Sequence, residues 1–161
     1  VNSHGFGRLP RRLAVASGET AREDEELAAA ARAWYRRHQL REITGDERDA
    51  APLAPDERLF AVRHHAVAVV TGGSCVVEGT LYLTSHRLVI GAGDLSIALT
   101  ELAEAGLAGE RLVVVLVDGG AIVVDVERPR LLRVEIATAR AAARIDAAAS
   151  VPVGRPQPGS R

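Results

Sequence analysis

The twelve residues Gly79-Thr80-Leu81-Tyr82-Leu83-Thr84-Ser85-His86-Arg87-Leu88-Val89-Ile90 constrain the fold of this chain more than any other stretch. Side chains alternate along a strand, so Leu81 and Leu83 share one side and Thr80, Tyr82 and Thr84 the other. Ser85-His86 is a polar tight turn, and Leu88 and Ile90 carry the apolar side back along a second strand. The Tyr82 ring brings a hydroxyl that needs a partner. Arg87 is expected to lay its stem along the sheet and pair with an acid.

Further strands surround this hairpin. Leu59 to Val70 is apolar and β-branched, interrupted by Arg63, His64 and His65, and reads as one bent strand or two. Thr71-Gly72-Gly73-Ser74 and Gly91-Ala92-Gly93-Asp94 are turns. Leu95–Leu99 and Ala103–Leu107 are strand candidates, and Arg111–Val117 and Ala121–Val126 read as a hairpin around Asp118-Gly119-Gly120. Many short strands with regular turns predict an antiparallel barrel or sandwich. A final helix then starts at Pro129, where a missing amide donor costs nothing. Leu132, Ile136, Ala139 and Ala143 line one of its faces, and Ala-rich sequence carries it to about Ala149.

Three places resemble the GRAM branch of the pleckstrin-homology-like (PH-like) superfamily. They are Gly-x-Leu-Tyr-Leu-Thr-x-x-Arg-Leu at 79–88, Leu116-Val117-Asp118-Gly119 followed by Ile122-Val123-Val124, and Pro129-Arg130-Leu131-Leu132. The resemblance implies a PH-like antiparallel β-barrel of about seven strands, its open end plugged by the C-terminal helix, spanning residues 56–147. It implies a non-catalytic binding or adaptor module. Phosphoinositide-binding members place basic residues on the first two strands, yet Ala66 to Ser85 contains no Lys or Arg.

The N-terminal helix is an addition to that fold. Thr20-Ala21-Arg22-Glu23 fits a capping box. Acids crowd the first turn, and Arg36, Arg37 and Arg41 crowd the far end, as the helix dipole favours. The pattern predicts a helix from about Ala21 to Ile43, with Leu27, Ala30, Ala31, Trp34 and His38 on one face. Trp34 is expected to bury, either against its own domain or in a dimer or partner contact. Residues 45–55, with Pro52 and Pro55, read as a linker, and residues 1–19 and 148–161 as disordered tails.

Composition narrows the function. A chain of 161 residues holds one domain with extensions. A net charge of −1 supplies no global field toward nucleic acid. Every basic residue is Arg, which looks like the coding bias of a GC-rich genome and weakens Arg as a sign of phosphate binding. A lone Cys75 rules out a disulfide framework. Arg11-Arg12 precedes too short an apolar run for an export signal, so a cytoplasmic bacterial protein is expected, with peripheral attachment to the inner membrane face as a variant. No nucleophile, metal-helix or phosphate-loop motif occurs, so neither enzymatic activity nor a cofactor is expected. His64 and His65, adjacent in a strand, point to opposite faces.

Two surfaces remain as candidates. On the final helix, Arg130, Arg133, Arg140 and Arg144 fall within about 80° of one another, a stripe suited to anionic lipid or phosphate or simply to solvent. On the late hairpin, Val113, Val115, Val117 and Val123 share the side opposite the core of Leu112, Val114, Leu116, Ile122, Val124 and Val126. An apolar outer side calls for a cover. The N-terminal helix with Leu27 and Trp34 is the economical candidate, and a homodimer contact the alternative. Interaction with a protein partner or with itself is the expected role.

Overall fold

The computed structural model describes residues 18–72 and 75–150. Seven strands form one antiparallel sheet: β1 (Leu59–Val70), β2 (Val76–Thr84), β3 (Arg87–Ile90), β4 (Leu95–Ala98), β5 (Leu102–Ala108), β6 (Arg111–Leu116) and β7 (Ala121–Asp125). Their order is β4-β3-β2-β1-β7-β6-β5. Helices α1 (Gly18–Tyr35) and α2 (Asp46–Ala50) precede the sheet, and α3 (Pro129–Ala149) follows it.

The sheet is open, which corrects the expectation of a closed barrel. No pairing joins β4 to β5 among the described residues. A single 3-10 turn, Leu99–Glu101, carries the chain between these two edges. Side chains fill the gap where a ladder would close a barrel. Leu99 and Leu102 are fully buried there with Leu132 and Ile136 of α3. Helix α3 packs along β5, β6, β1 and the 3-10 turn.

The expected hairpin is present in the predicted register. Leu81 faces Ile90 and Leu83 faces Leu88, and all four are fully buried. Each such side chain contributes about 1.5–3 kcal/mol through its removal from water. The Leu59–Val70 segment is one strand with an irregularity between Arg63 and Ala66, where His65 takes a left-handed φ of 57°. Beyond that bulge β1 turns its second half toward β7, pairing at Val67–Val70. The late hairpin turns at Val117-Asp118-Gly119, one residue earlier than expected, with Gly119 left-handed. The shift keeps the parity of both strands, so Leu112, Val114, Ile122 and Val124 are buried as expected.

Helix α3 spans the predicted residues, while α1 departs from expectation in length and rotation. It ends at Tyr35, short of Ile43. The Trp34 carbonyl accepts from the Arg37 and His38 amides and closes a turn. Leu40 then packs on the core and Ile43 pairs with Leu59, contacts that a continuing helix would forfeit. Over residues 20–35 of α1, Asp24 and Ala28 are buried, not Trp34. The Asp24 carboxylate accepts from the Arg130 and Leu131 amides at 2.8 and 3.0 Å. These are free donors in the first turn of α3, whose own cap residue Arg128 supplies no side-chain bond. That cap fixes α1 against α3. Within the expected linker lies α2, and residues 18–19 and 148–149, assigned above to the tails, are helical. Ser150 is the cap that follows α3, and residues 1–17, with Arg11-Arg12, and 151–161 lie outside the described residues.

Candidate interaction surface

Strand register places an apolar row straight across five strands. Val76 pairs with Val69, Val69 with Val123, Val123 with Val113, and Val113 with Gly106. Strands stand about 4.8 Å apart, so the row is about 19 Å long. Beside it, Ala121 pairs with Val115, and Val115 with Glu104. On the other side Val67 lies between Glu78 and Asp125, and Asp125 pairs at 2.8 Å with Arg111. The result is a valine band with a charged rim that carries more acid than base.

This band points away from the core. Val76 is 53% exposed and Val117, at the tip of the hairpin, 66%. Val69 is also exposed, and Val113, Val115 and Val123 are half-buried in the middle of the sheet. The other half of the sheet is different. There Arg87 donates to the Pro52 carbonyl and to Glu57, so segment 52–57 lies over the outer side, and Val89 on that side is fully buried.

The expected cover is elsewhere. Helix α1 packs on α3. Trp34 stacks on His38, with ring centroids 3.7 Å apart, and stays 57% exposed. The structure therefore separates the predicted interaction residues into two surfaces, Trp34 on α1 and Val113, Val115, Val117 and Val123 on the sheet. Val67, Val69 and Val76 extend the second surface beyond the residues expected for it. Their signal was the alternation of Ala66 and Ala68 with Val67 and Val69, which was obscured while the bulge at His65 left the phase of β1 open.

The arginine stripe is not four equivalent cations. Arg130 is 17% exposed, with Glu110 at 2.7 Å, Glu25 at 3.3 Å and Asp24 at 3.8 Å. Its hydrogen bonds to Glu110 raise its pKa, and the same bonds lower that of the Glu110 carboxyl. It fastens the start of α3 to the β5–β6 turn. Arg133, Arg140 and Arg144 have no ion pair among the described residues, and the buried Arg140 Nε has no hydrogen-bond partner.

Two further charged clusters are internal. Glu57 accepts from Arg87 at 2.8 and 2.9 Å, from the Ala54 amide and from Thr84. Burial opposes its ionisation, but these donors outweigh it and hold the carboxyl below the usual range. Arg63 donates to Glu135 at 2.7 Å where α3 crosses β1. Burial pushes the Glu135 carboxyl up against the opposing pull of Arg63. Burial and then Glu135 raise the neighbouring Tyr35. Among the described residues no group of three or more His, Cys, Asp or Glu side chains is placed to hold a metal, and no helix is long and apolar enough to cross a membrane.

No protein-family model matches the chain, and no curated protein matches it. Among solved structures it is similar to the crystal structure of the C-terminal domain of an unknown protein from Leishmania infantum. The two share 18% identity over 55% of this chain and 85% of that chain, with a TM-score of 0.37.

Proposed function

We propose that the chain is a non-catalytic PH/GRAM-like binding or adaptor module that acts by protein interaction through the valine band of β1, β6 and β7. The observation that carries this reading is the uncovered apolar row Val76–Val69–Val123–Val113. Contiguous apolar surface bounded by charges is the form of a docking face, with an apolar centre and a polar rim. The acidic excess of Glu78, Glu104 and Asp125 over Arg111 fits a partner whose apolar strip is flanked by basic residues.

The test compares the full chain with Val113→Asp and Val123→Asp variants in cross-linking from its native host. A specific partner captured by the parent and lost by both variants, with folding intact, supports the reading. Capture that is insensitive to both substitutions overturns it. A second reading rests on exposed Arg144 and half-buried Arg133 and Arg140 of α3, none of which has an acidic neighbour in an ion pair among the described residues. They would hold anionic lipid or phosphate. Sedimentation with anionic vesicles should then fall with salt and with Arg→Gln changes at these three positions. Absence of vesicle binding at low salt removes this second reading.

A further inference from the structure

Helix α1 leaves a second apolar surface bare, and its charges are arranged to complement themselves. With Asp24, Ala28, Ala31 and Tyr35 turned toward α3, the outward side carries exposed Glu23, Glu26, Ala30, Ala33 and Trp34, with half-buried Leu27 at its edge, and is continued by Arg37. At about 100° per residue the six within α1 fall within about 120° of one another, and Arg37 lies in the turn that follows. Ala30, Ala33, Trp34, Arg36, Arg37 and His38 line one shallow open depression on this side. Apolar residues occupy the centre, acids one end and bases the other.

We propose that this face of α1 docks against the same face of a second copy of the chain, antiparallel, about a two-fold axis through Ala30. Under that rotation Glu23 meets Arg37 of the second copy, Leu27 meets Ala33, Glu26 meets Trp34, and Ala30 meets itself. Each contact occurs twice, as an isologous interface requires. Alanine at the axis lets two helices approach at the short end of the usual 8–10 Å interaxial range. Among the described residues Arg37 has no ion pair, and Glu23 holds only a long contact to Arg128 at 3.5 Å, so both are placed to pair across the axis. The charges select the occupant, because an acidic partner would be repelled by Glu23 and Glu26 and a basic one by Arg36 and Arg37. Trp34 gains the burial it lacks in the single chain.

An α1 of 18 residues is about 27 Å long, so the interface lies at the small end of specific contacts, below about 1,200 Å². The dimer is therefore weak and depends on concentration. It uses a surface separate from the valine band and does not rest on that assignment.

Sedimentation velocity of the full chain, run from about 5 to about 500 μM to bracket the weak affinity such an area supports, reads the mass directly. The mass should rise from one copy toward two, with a blue shift of Trp34 fluorescence. Ala30→Glu places two like charges on the axis and should abolish the rise. Glu23→Arg and Arg37→Glu should each weaken association by at least about tenfold, and the double variant should restore it. These sites are exposed, and melting curves check that each variant folds. A chain that stays single at every concentration overturns the proposal. So does a dimer that ignores these substitutions, including one lost instead on Val123→Asp.

Discussion

Gly79 has φ 152°, and a Cβ built there would meet the Gly91 Cα at 2.7 Å. The first letter of the hairpin signature is thus a close approach of two backbones at the end of the β2–β3 pair. Gly79→Ala should lower stability by about 1–3 kcal/mol, read as a drop in the urea midpoint; an unchanged midpoint would remove this explanation. Thr84 and Arg87 have equally local reasons. The Thr84 hydroxyl accepts from the His86 and Arg87 amides in the turn, and Arg87 grips Glu57. The acid expected for Arg87 is there, but nothing local in the sequence marked it as Glu57, because the two lie 30 residues apart. Glu57 ionises below the usual range, so its stabilisation is present above that range and lost as pH falls through it. Glu135 has the opposite sign. Its raised value favours the fold in acid, and that contribution disappears as pH rises through it. Glu57→Gln should cost about 3 kcal/mol at neutral pH, with the gap from the parent narrowing in acid. A gap that does not change with pH would contradict this account.

Elements were legible where their determinants are local. The ends of α3 followed from Pro129 and an unbroken helical pattern, and the strands followed from alternation and glycine turns. The end and rotation of α1 were not legible, because both are set by residues far along the chain. Ile43 is drawn into pairing by Leu59, and the side of α1 that faces inward is chosen by Asp24 capping α3. Asp24 looked like one more acid suited to the helix dipole. Its replacement by Ala should cost about 1–2 kcal/mol and speed hydrogen exchange along α1. Equal protection in parent and variant would show that the cap does not hold the helix. Trp34→Ala, at an exposed site, should shift single-chain stability by less than about 1 kcal/mol. A loss of several kcal/mol in dilute solution would mean that the indole is buried in its own domain.

At the scale of the whole molecule, an open sheet has one side closed by α3 and the outer side of β1, β6 and β7 left to solvent. The apolar character of that side is legible in Val113, Val115 and Val123, but the economical cover, α1, packs on α3 instead, held there by the Asp24 cap that the sequence did not mark. The valine band is the basis of the interaction role, so the direct test is whether it faces water. Val113 and Val114 are neighbours on β6 that point to opposite sides. Denaturant unfolding of Val113→Asp and Val114→Asp in dilute full chain puts the question to a single strand. The account predicts a change of no more than about 1 kcal/mol for Val113→Asp, and a loss above about 4 kcal/mol, or failure to fold, for Val114→Asp. Comparable losses at the two positions would show that the band is already covered within one chain and would contradict the account.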